Sequence, residues 1–147
     1  MKKSYQILLI GAMSCSLLVS LVSCGRASVQ HRENGWYLIT DGQKDSLAST
    51  PIVTVKDFEA LELDSDAFGM QVIVGTISQR KQKAWADATE RAIGRRIGFV
   101  FNDTVITDPM INARIESGRF LISNPHRYDL KGIYRRLVAG DSVLLAD

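Results

Sequence analysis

Apolar and polar residues alternate along this chain in short blocks, and the block from Arg95 to Ser123 is the most legible. Two apolar runs, Ile97–Phe101 and Val105-Ile106, flank Asn102-Asp103-Thr104. A polar pair ahead of a β-branched residue is the composition of a tight connection, so the pattern predicts a β-hairpin. Asp108-Pro109 then interrupts the pairing, because proline has no N–H to give a ladder. Ser117-Gly118 makes a second turn before the strand Phe120–Ile122. A three-stranded meander is the expected result.

Upstream, Trp36–Thr40 is aromatic and β-branched and predicts a strand turned by Asp41-Gly42. A polar loop, Gln43–Thr50, leads to the extended piece Pro51–Val55. Lys56–Leu61 reads equally as a helical turn or a strand. Asp64–Gly69 is a turn, and Met70–Ile77 alternates as a strand with Val72 and Val74 on one face. Ser78 then stands where an N-cap hydroxyl would accept a backbone N–H. The helix it opens runs to about Ile93, with Trp85, Ala88, Ala92 and Ile93 as a narrow apolar stripe and Gly94 as its terminator. Asn124-Pro125 predicts a second helix start. Leu130, Ile133, Tyr134, Leu137 and Val138 follow at helical spacing, with Gly140 closing the run. Val143–Leu145 adds an edge strand or is a tail. The expected fold is therefore α+β: a largely antiparallel sheet with a three-stranded meander and two helices packed on one face.

The first residues change the picture. Lys2-Lys3 precede an apolar run from Ile7 to Val22, too short for a comfortable membrane span of roughly 20 residues but right for a signal peptide. The run ends in Leu21-Val22-Ser23-Cys24, which resembles the bacterial lipobox. That resemblance implies cleavage before Cys24 and lipid on it, with the membrane as the chain's first partner. A plain secretory signal cut after Ser23 and an uncleaved anchor stay open as alternatives. Of the two cysteines, Cys15 would leave with the leader and Cys24 would be modified, so no disulfide, cysteine zinc site or thiol nucleophile is expected in the folded part. Lys2 and Lys3 also carry the whole excess charge of +2. The mature chain is then electrically balanced, which gives no general reason to expect nucleic acid.

A family resemblance runs through the same residues. The segment from Ala86 to Ser123 resembles the head subdomain of the first periplasmic domain of SecD. Thr89, Gly94, the basic pair Arg95-Arg96 before an apolar strand, and the polar turn before Val105-Ile106 carry it. Pro109, Ile111-Asn112, Ile115 and Gly118 continue it. Upstream, Pro51–Val53, Asp57-Phe58 and Gly69 with Val72 fit, and Leu130–Gly140 matches the closing helix. Asp108 departs from the small residue that the family usually has before this proline. The resemblance implies a binding module that contacts translocating polypeptide, linked to protein export. SecD proteins set this domain among several membrane spans and beside a base subdomain. Neither is expected after Cys24, so proton coupling is not implied. The expected division is a signal peptide over 1–23, a tether over 24–34, a head-like domain over 35–140 and a tail over 141–147. The absence of an acidic cluster after Cys24 favours a periplasm-facing lipoprotein, with the outer membrane preferred to the inner.

Chemistry is sparse. His31 lies in the tether and His126 at a helix start, and two isolated histidines read as surface residues before they read as metal ligands. Asp103 and Asp108 bracket a short strand, where aspartate more often serves turn geometry than acid–base work. There is no G-x-S-x-G elbow. No catalytic residue, metal or cofactor is expected, although an envelope enzyme and a structural lipoprotein stay open as alternatives. Gly98 and Gly118 serve backbone geometry. The candidate partner surface is Arg91, Arg95 and Arg96 at a helix end, with Met110 and Ile111 offered for edge addition by a peptide. Helix-end electrostatics and core packing are the competing explanations for these five.

Overall fold

A computed structural model describes residues 31–40 and 46–140. Cys24, the turn expected at Asp41-Gly42 and the strand or tail at Val143–Leu145 lie outside the described residues. Seven strands and two α-helices are described: β1 (Gly35–Leu38), β2 (Val53–Thr54), β3 (Phe58–Ser65), β4 (Gln71–Ile77), α1 (Gln79–Arg91), β5 (Ile97–Phe101), β6 (Thr104–Thr107), β7 (Arg119–Ile122) and α2 (Leu130–Val138). The class is α+β and every strand pairing is antiparallel. The ambiguous stretch after Thr54 is both things in turn, a 3-10 turn at Val55–Asp57 and then β3.

Two sheets form, one of four strands in the order β2-β1-β5-β6 and one of three in the order β3-β4-β7. The expected hairpin is β5–β6, with Asn102 and Asp103 both at positive φ, the backbone of a two-residue turn whose twist matches the strands. The expected third strand of that meander goes elsewhere. β7 pairs with β4, Ile73 opposite Ile122 and Gly75 opposite Phe120, and so completes the other sheet.

The cause lies between Asp108 and Gly118. Ile97 donates its N–H to the Pro109 carbonyl, and Ile111 donates to the Arg95 carbonyl, so the chain first stays beside the start of β5. It is then captured by α1. Buried Thr89 accepts the Ile115 N–H through Oγ1 at 3.0 Å. Arg114 reaches Asp87 at 3.1 Å and Glu90 at 2.6 Å. Gly118, at φ 68°, accepts the Ile77 N–H at 2.8 Å and delivers β7 to β4. Only a residue free to adopt positive φ turns the chain there without strain.

One core serves both sheets and both helices. Trp36 of β1 packs on Phe99 of β5 at 5.3 Å between ring centroids and on Trp85 of α1 at 5.9 Å. Phe120 of β7 meets Trp36 at 6.0 Å and Phe58 of β3 at 4.5 Å. Such rings bury large apolar areas and gain a further ~0.5–1.5 kcal/mol per pair from tilted contacts. Phe120 fits because Gly75, its partner across the ladder, has no side chain; a methyl there would collide with the ring. A smaller cluster, Tyr37, Val100 and Val105 with Leu47 against it, covers the opposite face of the four-stranded sheet.

Both helix starts differ from expectation. Ser78 is the N-cap of α1, but its side chain makes no capping hydrogen bond. Its backbone does the work instead, the carbonyl accepting the Lys81 N–H at 2.8 Å. Asn124-Pro125 does not open α2. Asn124 closes a local loop, accepting the Tyr128 N–H at 2.7 Å and donating to the Tyr128 carbonyl at 2.8 Å. Asp129 is the true N-cap, accepting from Gly132 N–H at 2.9 Å. On α1, Ala86 and Thr89 are buried, whereas Ile93 lies past the helix and is 50% exposed.

Candidate functional site

The described residues hold no group of three or more His, Cys, Asp or Glu that could bind a metal. Asp103 and Asp108, the two carboxylates with conceivable acid–base roles, are not brought together. Asp108 accepts from Arg96 at the base of the hairpin, 3.4 Å to the carboxylate and 2.7 Å to the carbonyl. Asp103, at the turn, is occupied by the N-terminal residues. Its carboxylate contacts His31 Nδ1 at 2.5 Å and accepts the Arg32 N–H at 2.8 Å.

That contact belongs to a larger clasp. Asn34 Oδ1 accepts the Asn102 N–H at 2.7 Å. Tyr37 donates its hydroxyl to the Glu33 carbonyl at 2.8 Å, and burial pushes the phenol above its usual pKa, which keeps it a donor. The Arg32 guanidinium lies 5.7 Å from the centre of the Tyr37 ring. On the other side of the turn, Arg136 of α2 lies 5.1 Å from the Phe101 ring centre. Residues 31–34 are thus held along the β5–β6 turn.

The five candidate surface residues sit at the opposite end of β5. Arg91 ends α1, and Arg95 and Arg96 precede β5; all three are exposed. Arg96 is engaged by Asp108, while Arg91 and Arg95 make no ion pair among the described residues. Met110 is 51% exposed and faces Arg96 across an isolated bridge. Ile111 is a correction. It is 5% exposed and belongs to the core, and its N–H and C=O are used by Arg95 and Gly94, so it has neither side chain nor backbone to offer an added strand. Ile93, exposed beside Met110's segment, takes its place and was missed because a helical stripe was drawn through it. The corner therefore combines two exposed apolar side chains with two cations that make no ion pair among the described residues. It can hold apolar and acidic groups of a partner.

Two surface features had no sequence signal. A trough of about 480 Å³ lies between α1 and the run from Ala48 to Ile52, ending at Arg91. At the β3–β4 turn, Phe68 is 90% exposed. No helix among the described residues is long and apolar enough to cross a membrane.

Comparison with known proteins places these features in a family. The SecDF P1 head subdomain family matches residues 29–128. A solved structure of SecDF, described as a membrane component that enhances protein export, is similar at 26% identity and a TM-score of 0.51. The match covers 55% of this chain and 36% of that one. SecDF in a super-membrane-facing form is similar at 26% identity and a TM-score of 0.51, over 56% of this chain and 11% of that chain. The similarity thus spans well under two thirds of either solved chain. No curated protein matches.

Proposed function

Because this chain belongs to the SecDF P1 head subdomain family, we propose that it is a lipid-anchored, non-catalytic envelope protein whose head domain binds polypeptide or another envelope protein, in connection with protein export. The observation that carries the binding role is the corner where Ile93 and Met110 are exposed beside Arg91 and Arg95, which make no ion pair among the described residues. Apolar side chains left in water and cations without partners are the composition of a recognition surface. The anchor is lipid on Cys24 after removal of residues 1–23, and the domain faces the periplasm, preferably from the outer membrane. Two or more acyl chains give stable attachment where one is marginal.

The test is a photocrosslinking amino acid at Met110 or Arg95 in cells, combined with a pulse label on newly exported chains. Labelled export substrate or one defined envelope protein should be captured. Irradiation that yields no adduct at native expression sinks the proposal. Cys24→Ala tests the anchor separately, and should release the protein from membranes or leave its leader uncut.

A further inference from the structure

The trough and the exposed phenylalanine are complementary in kind, an apolar hollow and an apolar side chain left in solvent. The trough has low apolar walls, Leu38, Pro51 and Ile52 on one side and Ala84 and Ala88 on the other, with Arg91 at its end. Asp87 on the same rim is already taken by Lys83 at 2.6 Å and Arg114 at 3.1 Å. Arg91 is then the lining charge that makes no ion pair among the described residues, and the site favours an apolar side chain carried beside a carboxylate.

The β3–β4 turn presents such a side chain. Asp66 Oδ1 accepts the N–H groups of both Phe68 and Met70 at 2.9 Å, and the Asp66 carbonyl accepts the Gly69 N–H at 2.9 Å. Gly69 sits at φ 74°. The loop is thus braced in a shape that holds Phe68 in solvent, which lowers the ordering cost of using it as an anchor. Asp64 and Glu62 on the adjoining strand are exposed and make no ion pair among the described residues.

We propose that the acidic β3–β4 tip of one copy seats Phe68 in the trough of a second copy, with Asp64 facing Arg91. The two patches are different surfaces of one chain, so the contact is head-to-tail and extends into rows or closes into rings. A single loop in a trough falls short of the ~1,200–2,000 Å² of a stable interface, so the association is transient and weakened by salt. This inference does not rest on the export reading.

The experiment places benzoylphenylalanine at position 68 of the full chain and irradiates a mixture of light and isotopically heavy protein in its membrane. Mixed light–heavy dimers are expected, with the adduct mapping to residues 48–52 or 84–91. Arg91→Asp should cut the yield roughly tenfold, the equivalent of ~1.4 kcal/mol. Adding Asp64→Arg to it should restore the yield. Both residues are exposed, and unchanged circular dichroism will show that the variants fold. Adducts within one chain, to lipid or to a different protein, no dimer at all, or no rescue by the charge swap would each overturn the proposal.

Discussion

Single side chains hold this fold at places where the backbone leaves groups unpaired. Asp129 is one, capping Gly132 N–H at the start of α2. Asp129→Ala should cost about 1 kcal/mol, read as a lower denaturant midpoint with unchanged slope. Asp87 is another. The Lys83 ammonium, hydrogen-bonded to it, holds its carboxyl below the usual value, with Arg114 acting the same way against partial desolvation. A carboxylate whose folded pKa is depressed stabilises above the ordinary value of ~3.9 and loses that contribution as pH falls through the folded one. Asp87→Asn should therefore be less stable than the parent at neutral pH, and the gap should close as the solution is taken below about pH 4. A gap independent of pH would show that Asp87 acts by shape and not by charge.

At the scale of elements, the crossing from β6 to β7 depends on Thr89. Its hydroxyl donates to the Ala86 carbonyl at 3.0 Å and accepts from Ile115 N–H at 3.0 Å, so one buried group ties the crossing segment to α1. Thr89→Val keeps the shape and strands the Ile115 N–H, at a cost of about 1–3 kcal/mol. Amide exchange at Ile115 should accelerate more than exchange at Ile133 on α2. The same contact explains why the hairpin was legible and its third strand was not. Asn102 and Asp103 announce a turn from adjacent residues, whereas the destination of Phe120–Ile122 is set by Thr89 and Arg114 meeting partners about 25 residues away. Periodicity found Leu130–Val138 as a helix, yet not its cap, because Asn124-Pro125 and Asp129 both carry start signals and only the local loop closed by Asn124 decides between them. The corner arginines were visible as a cluster of charge. The exposure of Ile93 and the burial of Ile111 were not, since one lies past the helix end and the other is enclosed by pairing to Arg95.

For the whole molecule, the clasp at the β5–β6 turn sets where the leash joins the domain, given the proposed lipid on Cys24. Only residues 25–30 separate that cysteine from His31, and the seven steps from one to the other span at most ~25 Å when fully extended. The Asn102-Asp103 turn, held to His31, is then tied within about that reach of the lipid surface. Arg95 and Met110, at the other end of a five-residue strand, lie ~17 Å further along it. We predict that the apolar and basic corner faces the compartment and not the bilayer. A spin label at Thr104 should be relaxed strongly by a lipid-bound paramagnet, and one at Arg95 weakly. Asp103→Ala removes the acceptor for both His31 and Arg32, lengthens the effective leash toward Gly35 and should bring the two labels closer to equal. Equal relaxation in the parent chain would mean that the domain tumbles freely on its anchor. Contacts at 2.5–2.8 Å from His31, Arg32 and Glu33 fix the point at which the leash joins the domain, and so bias which end it presents to the lipid.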